Sequence, residues 1–347
     1  MKDLEPFGSR RRRYHLIVNA VVAAEVTANG RQHLRVVVDG QDYWFAHGVP
    51  GIVVDSDPIR VCALPLEVRF ATLIPPGERG GGVVEDTRLV VLGSRGSIAV
   101  SGSEFVRYGG NTTSFALVVG DETVAFIDAG TGLVAYRSQG LEPASSVHIF
   151  LTHYHWDHIQ GLSMFGAVWA DDGEVVIHGP GGPEQVVTAA IAPPWFPVAL
   201  AGAGAVRYET VSRPVDIRGL VITPFRVEHP QGAFGYRVDG PSASLAIVTD
   251  HEAGTERDAS IVESIRGVDF LIHDAQYRPD EIANRRGWGH STWVDAVVAA
   301  DAAGAKRLLL TSLDPGSTDR DVDGILRATQ ERFPEAGIAR PGLEVRL

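Results

Sequence analysis

Apolar runs in this chain repeatedly stop on histidine or aspartate. Val147-His148-Ile149-Phe150-Leu151 leads directly into Thr152-His153-Tyr154-His155-Trp156-Asp157-His158. The run 123–127 stops at Asp128-Ala129-Gly130, the run 220–227 at Glu228-His229-Pro230, and the run 245–249 at Asp250. Short runs rich in β-branched and aromatic residues predict buried strands. Metal-ligating residue types at their ends predict a site assembled from several strand ends.

The same reading predicts further strands over 88–92, 175–178 and 307–310, and a hairpin pairing 115–119 with 123–127 across Gly120-Asp121. Helices are predicted over 184–190, stopped by Pro193-Pro194, and over 295–303, with Ser291 or Thr292 as N-cap and Gly304 as C-terminal stop. In the N-terminal part, 34–38 and 43–46 read as strands joined by Asp39-Gly40, with further strand candidates at 52–54 and 61–74. Pro75-Pro76-Gly77-Glu78-Arg79-Gly80-Gly81-Gly82 breaks regular structure. The expected organisation is a disordered basic leader over 1–13, a small β-rich module over 14–74, a linker over 75–82 and a catalytic domain over 83–347. His15, His33 and His47 are scattered through the module and form no constellation there.

Composition narrows the classes. The chain has 347 residues, 44% of them hydrophobic, enough for one large domain and an appendage. With 43 acidic against 31 basic residues, the net charge of −12 argues against an extended nucleic-acid footprint. Cys62 is the only cysteine, so no intramolecular disulfide or thiolate cluster can form, and the cytoplasm is the expected compartment. Arg10-Arg11-Arg12-Arg13 before the apolar stretch 16–24 has the outline of an export signal. His15 and Asn19 interrupt that stretch and it continues as Glu25-Val26-Thr27, which favours a strand. No segment approaches the roughly 20 apolar residues of a membrane span.

The three imidazoles within residues 153–158 repel one another once protonated, and together with the carboxylate beside them they gain from a cation. Neutral imidazole with carboxylate suits zinc, and also manganese or iron.

Taken in order, Gly109-Gly110-Asn111-Thr112, Ile127-Asp128-Ala129-Gly130, Thr152 to His158, His229, Thr249-Asp250, Leu271-Ile272-His273-Asp274-Ala275 and Gly289-His290-Ser291-Thr292 resemble the metallo-β-lactamase fold. The resemblance is to the branch of ribonuclease Z and small phosphodiesterases, and it covers residue 83 to the C-terminus. It implies an α/β (α+β) αββα sandwich with one or two metal ions, Zn2+ first and Mn2+ or Fe as alternatives. It also implies that His153, His155 and His229 hold a first ion, that Asp157 and His158 hold a second, and that Asp250 bridges them. Asp128 would lie beside a ligand and orient its ring. Asp157, His290 and Asp274 would serve catalysis, with His290 donating a proton or contacting phosphate and Asp274 orienting it.

One position departs from the family pattern. Where a final histidine is expected after the strand 307–310, the chain reads Leu310-Thr311-Ser312-Leu313-Asp314, and no histidine follows His290. Three outcomes stay open: a second ion held by Asp157, His158, Asp250 and solvent; a substitute ligand, for which His251, Asp314 and Ser312 are candidates; or a single ion. Trp156, Trp288 and the segment 193–197 are candidates for an apolar wall, with Trp195-Phe196 as a lid.

The expected activity is metal-dependent hydrolysis of a small nucleotide-like or other organic phosphodiester by a metal-activated water. The partner is a small molecule, with no extended nucleic acid and no membrane, and a homodimer is compatible with it. Ribonuclease Z action on tRNA is disfavoured by the charge and the lack of a basic arm. The alternatives are a mononuclear hydrolase of esters or lactones, and a non-catalytic ligand-binding member of the fold.

Overall fold

The computed structural model describes residues 20–26, 32–38, 41–46, 86–204 and 206–347. The chain divides into two units, Met1–Gly80 and Gly81–Leu347. In the first, β1 (Ala20–Val26), β2 (Gln32–Val38) and β3 (Gln41–Ala46) form an antiparallel three-stranded sheet. The basic leader, the Asp39-Gly40 turn, the strand candidates at 52–54 and 61–74, the linker, His15, His47 and Cys62 lie outside the described residues.

The second unit is built on two seven-stranded sheets. One contains β4 (Thr87–Gly93), β5 (Ser114–Val119), β6 (Glu122–Ile127), β7 (Glu142–Phe150), β8 (Glu174–Gly179) and β9 (Val206–Thr210), in that order. The other contains β10 (Val215–Ile217), β11 (Leu220–Val227), β12 (Ala233–Asp239), β13 (Ser244–Val248), β14 (Phe270–Asp274), β15 (Arg307–Thr311) and β16 (Ala336–Ile338). The C-terminal β17 (Glu344–Arg346) returns to pair with β4 in the first sheet. Each sheet begins with antiparallel pairs and becomes parallel, from β6 to β9 in the first and from β13 to β16 in the second.

Alternation along the strands explains the layering. On β4, Leu89 and Val91 face the other sheet among Phe115, Leu117, Ile127, Tyr236, Ile247 and Ile272, while Val90 and Leu92 face outward into a second cluster with Phe126, Ile149 and Phe165. Both faces are therefore buried, which is why these strands read as continuous apolar runs. The outer face of the second sheet is covered by α3 (Asp258–Ser264), α4 (Trp293–Ala303) and α5 (Asp319–Gln330) through Ile261, Ala296, Ala300 and Val322. Burial of each large aliphatic side chain contributes about 1.5–3 kcal/mol. The arrangement is the expected αββα sandwich, completed by α1 (Trp156–Ile159) and α2 (Pro183–Ala190) on the first sheet's side.

α4 starts where the sequence places it. Thr292 caps it, accepting from the Asp295 amide while the Asp295 carboxylate accepts from Thr292, and Gly304 ends it at φ +67°. Helices α3 and α5 were not anticipated. The sequence of α5, Asp-Arg-Asp-Val-Asp-Gly-Ile-Leu-Arg-Ala-Thr-Gln, buries only Val322, Ile325 and Thr329, a stripe too narrow to stand out.

Candidate metal centre

Six strands deliver their C-terminal ends to one rim: β6 brings Asp128, β7 the loop 152–158, β11 His229, β13 Asp250, β14 Asp274 and β15 Ser312. Parallel strands leave their carboxyl ends along a common edge, where open α/β sheets assemble sites.

Hydrogen-bond partners fix which nitrogen of each histidine keeps its lone pair. The Nδ1–H of His158 donates to Asp128 Oδ2 at 2.8 Å, and that of His153 to the Thr152 hydroxyl at 3.0 Å, which itself donates to Asp128. His229 Nδ1–H donates to the Gly289 carbonyl at 2.7 Å and His290 Nδ1–H to Asp274 Oδ2 at 2.8 Å. His155 is held the other way round, its Nε2–H donating to Gln231 Oε1 at 3.0 Å so that Nδ1 is free.

The free atoms converge. Asp250 Oδ2 lies 3.3 Å from His158 Nε2, 3.7 Å from His153 Nε2, 3.8 Å from His229 Nε2 and 3.9 Å from His290 Nε2. His155 Nδ1 and His229 Nε2 face each other at 3.1 Å. Asp157 Oδ2, which accepts from the Ser97 amide at 2.8 Å, lies 3.3 Å from His158 Nε2. The Nε2 atoms of His153 and His158 are buried without any hydrogen-bond partner. Orphaned buried acceptors are costly, and opposed lone pairs repel unless a cation stands between them. The donor set therefore fits a divalent ion. Three groups of side chains could hold one: His153–His155–His229, His153–His158–Asp250 and Asp250–Asp274–His290.

Electrostatics follow the same geometry. Burial, reinforced by the charge of His158, holds His153 well below the ordinary imidazole range. Burial also opposes charge on His158, but Asp250, Asp157 and Asp128 outweigh it and raise that ring well above its usual value. For His290, burial is outweighed by Asp274 and then Asp250, and its pKa rises to about 9. Burial pushes the Asp274 carboxyl up to about 6, against the pull of His290.

The substitute ligands are not brought in. His251 turns away from the rim, as its place next to Asp250 on an extended chain requires: its Nδ1 accepts from the Glu228 amide at 3.3 Å and its Nε2 lies 3.6 Å from Asp258. The Asp314 carboxylate accepts from the Gly316 amide at 2.7 Å in a turn. Ser312 sits beside Asp250 Oδ1 at 3.3 Å, but its hydroxyl points at the Thr249 carbonyl at 2.6 Å. Of the aromatic residues, Trp156 and Trp288 are exposed beside the rim, whereas Phe196 stacks on Trp169 at 5.9 Å and packs into the core, leaving only Trp195 of the expected lid exposed. His148 of β7 and His178 of β8 pair with each other at 2.9 Å.

Several contributors escaped the sequence reading. Ser97 acts through its amide, and Gln231 follows Pro230 at φ +64°. Glu252 acts through the Gly287 and Gly289 amides, at 2.8 and 2.9 Å. Only the glycines around Ser97 and His290 hinted at such close backbone approach.

Residues 124–311 match the family model of the β-lactamase superfamily domain. An uncharacterized protein of Mycobacterium tuberculosis is 29% identical over 282 residues, covering 77% of this chain and 95% of that protein. Ribonuclease Z of Lacticaseibacillus casei is 23% identical over 292 residues, covering 68% of this chain and 90% of the enzyme. Among solved structures, the metallo-β-lactamase fold protein YhfI of Bacillus subtilis superposes with a TM-score of 0.59 at 19% identity, covering 76% of this chain and all of that one. A diphosphatase of the PhnP family superposes with a TM-score of 0.58 at 22% identity, covering 75% and 98%. The chain belongs to the β-lactamase superfamily domain family and has the metallo-β-lactamase fold of metal-dependent hydrolases.

Proposed function

We propose that this hydrolase is a zinc-dependent phosphodiesterase acting on small, nucleotide-like phosphodiesters. The observation that carries the reading is the convergence of the His153, His158 and His229 Nε2 atoms on Asp250 Oδ2, two of them buried without partners. The name of one similar protein, a ribonuclease Z, supports phosphodiester chemistry, and that of another, a diphosphatase, supports hydrolysis at phosphorus. His153, His155 and His229 would hold one ion, Asp157 and His158 a second, and Asp250 both. Zinc supplies, when bound, a lowered pKa for water and positive charge for a phosphoryl oxygen.

The chain's own groups do the rest. Asp128 and Thr152 hold the His153 and His158 rings in the tautomers that present Nε2 inward. His290, kept protonated by Asp274, is placed to pass the Nε2 proton to a leaving oxygen or to bind phosphate through it. The metal-stripped protein should be inactive on bis(p-nitrophenyl) phosphate and regain turnover with zinc or manganese, and His155→Ala should abolish that turnover. Activity that survives chelation in both proteins would rule the reading out. The single cysteine supports a cytoplasmic location, and among the described residues no helix is long and apolar enough to cross a membrane.

Ser312 favours a second reading, a one-ion hydrolase of esters or lactones, because its hydroxyl is engaged by the Thr249 carbonyl. One zinc per chain together with turnover of carboxylic esters but not phosphodiesters would select it.

A further inference from the structure

We propose that Arg285, held between Tyr277 and Trp288, binds a second phosphate group of the substrate, apart from the ester that is cleaved. This rests on the phosphodiesterase reading and deepens it. The guanidinium carbon lies 5.4 Å from the centre of the Tyr277 ring and 4.9 Å from that of Trp288. Tyr277 is buried and meets the His290 ring edge-on at 5.7 Å, so the cation stands one ring away from the rim.

Its neighbours are engaged and it is not. Arg257 pairs with Glu228, Arg278 with Asp321, and Arg286 approaches Glu252 while donating to the Ala253 carbonyl. Among the described residues, no carboxylate or carbonyl oxygen accepts from the Arg285 guanidinium, in a chain whose net charge is −12. Two rings hold the head by cation–π attraction and leave its N–H fork without an acceptor. That fork matches the spacing of two phosphate oxygens.

The loop carrying it is held to the centre. Glu252 accepts from the amides of Gly287 and Gly289, and the Gly289 carbonyl accepts from His229. The Trp288 amide donates to the Arg285 carbonyl at 3.1 Å, closing a turn that leaves the indole 58% exposed. An exposed indole beside a fixed cation suits a base next to a phosphate. The substrate class that uses both is a nucleotide phosphodiester carrying a further phosphate.

The test compares thymidine 5′-(p-nitrophenyl phosphate) with and without a 3′-phosphate, using the full zinc-loaded chain. Wild type should favour the phosphorylated diester in kcat/KM by about tenfold or more, as a charged hydrogen-bonded pair is worth. Arg285→Gln should bring that ratio to about one, and Arg285→Lys should restore it only in part, since an ammonium lacks the fork. A wild-type ratio near one, or a ratio retained in Arg285→Gln, overturns the proposal. Turnover of neither diester by wild type would instead remove the phosphodiesterase reading. Calorimetric titration of the full zinc-loaded chain with thymidine 3′,5′-bisphosphate then decides the phosphate site independently. Weakening by about tenfold in Arg285→Gln supports it, and identical titrations, including none by either protein, overturn it.

Discussion

Asp128 aims side chains of the centre through hydrogen bonds alone. Fully buried, it accepts from His158 Nδ1, from the Thr152 hydroxyl and from the Thr152 amide, so a single carboxylate sets the aim of two rings. Asp128→Asn replaces one acceptor oxygen with a donor. It should weaken zinc retention by roughly 10–100-fold in a chelator competition, and unchanged retention would show that the rings are aimed by something else. Two glycines make a sharper comparison. Gly287 and Gly289 have nearly the same φ, +83° and +84°, but a Cβ on Gly287 meets open space whereas one on Gly289 would stand 2.1 Å from His229 Nδ1. Gly287→Ala should therefore cost about 1–2 kcal/mol of stability and keep its zinc. Gly289→Ala should lose zinc as well, read by metal analysis after dialysis.

Strands and helices separate what supports the centre from what supports the fold. Replacing the Thr292 cap of α4 with alanine should cost about 1 kcal/mol in chemical unfolding, leaving zinc content as in wild type. On β8, His178 stacks on Phe150 at 4.3 Å and pairs with His148 of β7. Burial, then the charge of His148, lowers its pKa from 6.5 to about 4. In the unfolded chain this ring takes up its proton near pH 6.5, in the fold only near 4. Its contribution is thus complete above pH 6.5 and is lost progressively as pH falls toward 4, by up to about 3 kcal/mol. The urea midpoint should fall between pH 7 and pH 5, and His178→Asn should flatten that slope. These elements also show what a sequence reveals. β7, β11, β13 and their terminal ligands were legible because a buried strand is apolar throughout and a ligand at its end interrupts the run. Glu252, Gln231 and the Ser97 amide were not, because their work depends on which backbone group lies opposite them, and that is set by folding. His251 follows Asp250 in an extended chain, and that alternation, legible in the sequence, turns it away from the ligands.

For the second unit taken together, the centre is also a source of stability. A cation bound by residues from β7, β11 and β13 ties both sheets along the rim, so chelation should lower the melting temperature and zinc should restore it. At a thousandfold excess over Kd the gain is about 4 kcal/mol. A melting temperature indifferent to zinc would mean that no ion joins the sheets. The far ends of the same strands have a simpler arrangement. The hairpin at Gly120-Asp121 and the turn at Arg218-Gly219 lie at the starts of β6 and β11, and Arg218 reaches Glu122 at 2.6 Å across the two sheets. Everything reactive is therefore a full strand length from these turns. A peptide tag spliced between Gly120 and Asp121 should leave turnover as in the untagged enzyme, which makes that hairpin the natural handle for tethering the enzyme to a surface.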